Sequence, residues 1–366
     1  MLRKGAPVRS CPMAVRILIA AGGTAGHVAP ALAVADVLRE RGAEVVFAGT
    51  PDRAEARLVP AHGYRLETFR IAGFERRVSV RLARALGAAA VAPAACVQIL
   101  RRIRPDAVLG GGGYVSGPMI AAAASLRIPS ALTEADGHLG LANRLAAPLA
   151  RRVLLAMPIE GLEGDRYRVV GRPVDPRFFT VTREQARATY AIAPDEQVVA
   201  VFGGSLGAGR LNDAVAAAYG EDDPAAPLVL QVTGRGKLSG SAPNDRLRVF
   251  EYCDSMPELL HAADVVVCRA GGSVWEVAAA GAPAVLVPWS GAAGDHQSAN
   301  AGYFAAGAVV VPDAELDGPR LRAEVAGLLA DASRRAGLAA AMRALARPDA
   351  ARDVADEVLA LAGVAA

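Results

Sequence analysis

Short apolar runs alternate with longer amphipathic stretches along most of this chain. Runs at 15–20, 43–48, 64–69, 107–109, 130–132 and 152–155 are rich in Val, Ile, Leu and Phe and predict buried strands. Helical spacing of apolar positions fills the intervals at 30–41, 54–62, 80–103, 117–126 and 139–149. The second half repeats the scheme, with strands predicted at 198–202, 228–232, 247–250, 264–268, 284–287 and 308–310. Its helices are predicted at 210–219, 256–262, 274–280, 296–305 and 319–345, with one more at 350–361. Such alternation means parallel sheets covered on both faces. The predicted class is α/β, with two Rossmann-like doubly wound domains facing each other across a cleft. The expected division is an N-terminal extension (1–14), a first domain (15–168), a second domain (169–345) and a C-terminal helix (346–366) returning to the first domain. Pro30 reads as a first-turn proline.

Glycine-rich turns fall where strands give way to helices. One is Gly22-Gly23-Thr24-Ala25-Gly26-His27; its counterpart is Gly203-Gly204-Ser205-Leu206-Gly207-Ala208. A strand, a glycine turn and a helix N-terminus together form an anion site, because the first helical N–H groups point at the ligand. The pair of turns predicts a phosphorylated ligand held between two domains. Gly110 to Gly113, followed by Tyr114, is a further turn that permits close backbone approach. In the second half, Arg269-Ala270-Gly271-Gly272-Ser273-Val274-Trp275-Glu276 fits a diphosphate at its glycines and ribose hydroxyls at Glu276. A plain N-cap at Ser273 is the alternative. Gln297 and Asn300 follow Asp295 at another helix start, where amides suit sugar hydroxyls because they both donate and accept. A capped surface helix explains them equally well. His27 is a candidate base, or a helix-start histidine bonding the backbone. Glu134, two residues before Asp136, is a second candidate base, or a cap for the next helix.

At 366 residues the chain is long for one core and natural for two. A formal charge of +3 gives no nucleic-acid footprint. The four cysteines are scattered, which indicates neither a disulfide framework nor a zinc site and fits the cytosol. The longest weakly polar stretch, 85–100, falls short of a membrane span, and the N-terminus does not read as a signal peptide. No Asp-x-Asp pair occurs to hold a metal on a diphosphate, so helix dipoles and backbone amides are expected to do that work. One basic, apolar segment stands out. It contains Ile71, Phe74, Arg76, Arg77, Val80, Arg81, Leu82, Arg84 and Leu86, then Val97, Ile99, Leu100, Arg101, Arg102 and Arg104. A surface of this kind rests on anionic lipid without crossing it; an ordinary solvated helix is the alternative.

The ordered set of motifs resembles the MurG family. The residues that carry the likeness are the 22–27 turn with Pro30, Gly112-Gly113-Tyr114-Val115-Ser116-Gly117-Pro118, and Gly203-Gly204-Ser205 with Gly207-Ala208 and Asn212. Glu276 with Ala279-Ala280-Gly281, and Asp295-His296-Gln297 with Asn300-Ala301, complete it. The resemblance implies a GT-B fold and inverting, metal-independent transfer of N-acetylglucosamine from UDP-GlcNAc to the 4-hydroxyl of the muramoyl sugar in lipid I, giving lipid II of peptidoglycan. It implies no cofactor, no nucleic acid, and work at the cytoplasmic face of the membrane on an anionic surface. The donor contacts it implies are Thr24, Gly26, Asn143, Arg172, Ser205, Cys253, Gly271, Gly272, Ser273, Glu276, Gln297 and Asn300. The acceptor diphosphate falls to Gly22, Gly23, Gly112, Gly113 and Tyr114, and catalysis to His27 or Glu134. The chain departs from the family pattern at Ala25, at Ala135 and Asp136 (commonly Gln-Asn), at Leu206 and at Asp175, where an arginine is usual. Ala25 is expected to be strained if its position needs positive φ. Three other readings fit the residues: a GT-B enzyme with a soluble acceptor, a UDP-GlcNAc 2-epimerase, and a UDP-sugar-binding scaffold without catalysis.

Overall fold

The computed structural model describes residues 14–71, 80–204, 207–237 and 243–364, the side chains of 80–91 and Ala293 excepted. The extension at 1–13, Phe74, Arg76, Arg77, Ser205 and Leu206 lie outside the described residues, as do the side chains of Val80, Arg81, Leu82, Arg84 and Leu86.

The first sheet holds β1 (Arg16–Ala20), β2 (Glu44–Gly49), β3 (Arg65–Thr68), β4 (Ala107–Gly110), β5 (Ser130–Glu134), β6 (Arg152–Leu155) and β7 (Tyr167–Val169). The second holds β8 (Val198–Phe202), β9 (Leu228–Val232), β10 (Leu247–Phe250), β11 (Val265–Cys268), β12 (Ala284–Leu286) and β13 (Ala308–Val310). The strand orders are β3-β2-β1-β4-β5-β6-β7 and β10-β9-β8-β11-β12-β13, with every pair parallel. The apolar runs are continuous because both sheet faces are covered. On β1, Ile17 and Ile19 enter one core while Leu18 and Ala20 enter the other.

In both sheets the order reverses between the first strand and its inner neighbour. That switch point, β1/β4 in one domain and β8/β11 in the other, is where doubly wound folds hold ligands. The glycine turns after these four strands therefore stand at the two places topology favours.

Several elements differ from expectation. β7 is an added strand on β6, and the expected boundary at 168/169 falls inside it. The first helix runs Ala25–Glu40, so Pro30 lies within it rather than in its first turn. The helix expected over 319–345 divides into Gly318–Ala330 and Ala332–Leu345. Asp331 leaves helical geometry (φ −112°, ψ 90°) and its carboxylate accepts from the Arg334 N–H, capping the second piece. Ala25 carries no left-handed φ; it is the first residue of its helix, and the expected strain is absent. The final helix, Ala350–Leu361, packs Val354, Ala355, Val358 and Leu359 into the first domain's core.

Of the basic segment, the described side chains are those from Val97 on and Ile71, and there the arginines Arg101, Arg102 and Arg104 are exposed while apolar residues turn inward. Ile99 and Leu100 are 5% and 1% exposed within the first domain's core, and Arg102 pairs with Glu67. No helix among the described residues is long and apolar enough to cross a membrane.

Candidate active site

A cavity of about 710 Å³ opens where the first sheet's switch point meets the interdomain crossing. Gly26, His27, Gly112, Gly113, Tyr114, Glu134, Asn143 and Arg172 all line it.

The first glycine turn is braced from below. Glu55, fully buried, accepts hydrogen bonds from Gly23 N (2.9 Å), Thr50 N (2.8 Å) and Thr50 Oγ1 (2.6 Å). Gly112 N donates to Ser116 Oγ at 2.9 Å. Two of the expected diphosphate donors, the Gly23 and Gly112 N–H groups, are thus engaged internally. The unbonded N–H groups at a helix start then fall at Ala25 and Gly26. Gly113 (φ +76°) approaches so closely that a Cβ there would lie 2.2 Å from the Gly22 carbonyl oxygen. The Tyr114 ring packs on Gly23 in the same way.

His27 projects from the first helical turn into this corner. Its Nδ1 lies 3.2 Å from Thr24 Oγ1, and the ring also bonds the Gly22 carbonyl. Burial, then the Arg172 charge, push its pKa below the usual 6.5. The imidazole is therefore neutral at pH 7, with Nε2 as the nitrogen left basic when Nδ1 donates.

Glu134 is placed differently. One carboxylate oxygen accepts from Ala135 N and Asp136 N, the other from Gly140 N and Asn143 Nδ2. Burial raises its pKa against the lowering effect of those bonds. With both oxygens engaged, the carboxylate folds the 134–140 loop around itself; it accepts from no backbone N–H in the first turn of the helix Leu141–Ala146. Asn143 donates to Glu134 and to Thr133 O, so it too supports the loop.

Arg172 joins the halves, and its position has a local cause. A proline inside a helix leaves the carbonyl four residues earlier without its N–H partner. Pro30 does this to Gly26, and the Arg172 guanidinium donates to that carbonyl oxygen. The same guanidinium lies against Gly272, where a Cβ would come within 2.4 Å of it. Asp136, Glu276 and Glu134 surround it electrostatically.

Across the crossing, Gly271 to Ser273 open the helix Val274–Ala280, and Glu276 sits in its first turn. Desolvation pushes the Glu276 carboxyl up to about 7, opposed by Arg172 and aided by Asp175. Gln297 is oriented by Trp289 N, which donates to its Oε1 at 2.8 Å, and its Nε2 faces Gly271. Asn300 is 1% exposed and already engaged: it accepts from Gly137 N and donates to Asp136 Oδ1 and Ala270 O, each at 3.0 Å. It bridges the domains with both amide hydrogens, and only the second lone pair of its carbonyl oxygen is left for the expected sugar contact. Cys253 lies apart from the cavity, 3.6 Å from the Tyr190 hydroxyl.

Sequence reading missed Glu55 and the coupling of Pro30 to Arg172. An acid at the second position of the helix Ala54–Ala61 was a visible signal for the first. The second depends on which carbonyl a distant arginine reaches.

Models of the glycosyltransferase family 28 N-terminal and C-terminal domains match residues 17–155 and 198–357. A Rubrobacter xylanophilus protein named as UDP-N-acetylglucosamine--N-acetylmuramyl-(pentapeptide) pyrophosphoryl-undecaprenol N-acetylglucosamine transferase is 42% identical over 89% of this chain and 98% of its own. A Paenarthrobacter aurescens protein of the same name is 40% identical over 94% and 95%. Acinetobacter baumannii MurG superposes with a TM-score of 0.73 at 26% identity, covering 95% of this chain and 99% of that one. A Neisseria meningitidis UDP-GlcNAc 2-epimerase reaches a TM-score of 0.69 at 14% identity over 94% of this chain and 100% of its own, which shows the shared fold alone. With both family domains matched and relatives at these identities spanning nearly its whole length, the chain belongs to the MurG family of family 28 glycosyltransferases, two-domain GT-B enzymes.

Proposed function

We propose that this enzyme transfers N-acetylglucosamine from UDP-GlcNAc to the muramoyl 4-hydroxyl of a polyprenyl-diphosphate-linked acceptor, the step that turns lipid I into lipid II. The observation that carries this reading is the meeting of the two switch points at Arg172, which touches the first glycine-turn helix through Gly26 and the second through Gly272.

In this reading the second domain holds the donor. Glu276 accepts from the ribose hydroxyls, the Gly271–Ser273 turn and Arg172 meet the diphosphate, and Gln297 reads the sugar. The acceptor enters the first-domain cavity with its diphosphate at the 24–26 helix start and at Gly113. His27 Nε2 takes the proton from the 4-hydroxyl, and that oxygen attacks the anomeric carbon from the face opposite UDP. As the carbon–oxygen bond to the β-phosphate breaks, charge on UDP is met by fixed N–H dipoles and Arg172. Glu134 and Asn143 position the loop that carries Asp136. The site works without a divalent ion, at the cytoplasmic face of an anionic membrane.

Transfer of radiolabelled sugar from UDP-GlcNAc to a short-chain lipid I analogue, with EDTA present, is the direct test. Product formation is expected; activity that vanishes on chelation removes the metal-free part of the reading. His27→Ala should lower kcat on the order of 10²–10⁴-fold, the usual contribution of a general base, with UDP-GlcNAc KM little changed. A rise in KM alone would move His27 to a binding role.

A further inference from the structure

Three large leucines stand in water at the mouth of the cavity: Leu141, Leu145 and Leu149 are 56%, 70% and 49% exposed. They belong to the short helical segments Leu141–Ala146 and Ala147–Leu149, and their four-residue spacing puts them on one side. The opposite side is tied down, since Asn143, Ala146 and Ala147 are buried and Asn143 bonds Glu134. The leucines are therefore held outward by the same contacts that build the reaction loop. They form an apolar wall of the very cavity that contains His27 and the Gly111–Gly113 turn. Arg144 and Arg151, both exposed, flank them.

We infer that this leucine face is the subsite for the polyisoprenoid chain of the acceptor, where it leaves the diphosphate. The inference rests on the proposed acceptor and adds where its lipid goes. A sugar or peptide needs hydrogen-bonding partners, and the leucine side chains offer none. A protein docked on this face would obstruct the cavity mouth it lines. A hydrocarbon chain continuing from a diphosphate at Gly113 meets the leucines directly, and the flanking arginines suit the anionic surface the chain comes from. The names of the relatives end the acceptor in a pyrophosphoryl-undecaprenol.

The test uses Leu145→Ser and Leu149→Ser, singly and together, in the full-length enzyme. Two acceptors carry the same diphospho-muramoyl pentapeptide, one on a long polyprenol and one on a short alkyl group, each in detergent micelles, and the long-chain acceptor is also presented in anionic vesicles. The KM for the long-chain acceptor should rise on the order of tenfold per leucine, with kcat, donor KM, short-chain KM and melting temperature unchanged. Equal effects on both acceptors, or none on the long one, overturn the inference. Loss confined to acceptor embedded in anionic vesicles overturns it as well, because the face then touches the membrane and not the chain. If the unaltered enzyme transfers to neither acceptor, the proposed function fails and this inference with it; transfer to both without chain-length sensitivity to the variants removes the subsite alone.

Discussion

Near pH 7 the Glu276 carboxyl is poised between its two protonation states, its pKa pushed to about 7 by desolvation. Only the ionised form is a full acceptor for two ribose hydroxyls. UDP-GlcNAc affinity should therefore fall as pH drops from 8 to 6, visible as a rising calorimetric Kd. The stability consequence has the opposite sign. A carboxyl whose folded pKa exceeds its ordinary 4.5 takes up a proton on folding between those values. Stability is thus lost as pH rises from about 4.5 to 7, by roughly 3 kcal/mol in the limit. Glu276→Gln should raise the melting temperature at pH 8 while weakening donor binding roughly 10- to 100-fold, as expected for losing hydrogen bonds to a charged acceptor. A variant that loses stability at pH 8 would mean the carboxylate is needed for folding. Burial and the Arg172 charge hold the His27 pKa below the usual 6.5; with His27 as the proposed base, a separate acid limb should show in kcat rather than in donor affinity. The place of Glu276 in the first turn of a helix after a glycine turn was legible; the engaged state of Asn300 was not, because an Asn on a helix looks the same whether it faces a sugar or a neighbouring loop.

Among elements, the helix Ala25–Glu40 matters most, because one interior proline makes it a docking point for the other half of the molecule. Pro30→Ala restores an N–H that competes with Arg172 for the Gly26 carbonyl. The helix should become more stable in its own right. Turnover should nevertheless fall roughly threefold to tenfold, the worth of about one hydrogen bond holding Arg172 in place. Unchanged kcat in the purified variant would show that Arg172 is held by its other neighbours. Most strands were readable because both-face burial makes them continuous apolar runs. β7 was not: Tyr167-Arg168-Val169 sits at the sheet edge, with Arg168 and Val169 exposed, and so lacks that signature. The 319–345 break was missed because Asp331 interrupts a stretch whose apolar spacing otherwise runs on. The positions of the glycine turns were legible, yet the engagement of the Gly23 N–H was not, since its partner Glu55 stands 32 residues further along the chain.

For the molecule as a whole, Asn300 is the shared fastener, with bonds to Gly137 and Asp136 in one domain and Ala270 in the other. Asn300→Ala should loosen the ligand-free enzyme, seen as a larger radius of gyration by X-ray scattering and a higher KM for UDP-GlcNAc. An unchanged radius would place the domain contact elsewhere. The two chain crossings run side by side: Gly171, at φ +84°, lies against Arg347, where a Cβ would approach to 2.4 Å. The second crossing leads to the helix whose Val354, Ala355, Val358 and Leu359 fill the first domain's core. That arrangement sets an order of assembly on the ribosome. The domain begun first is finished last, because its interior stays open until residues 354–359 have been synthesised and can swing back past a sister domain already able to fold.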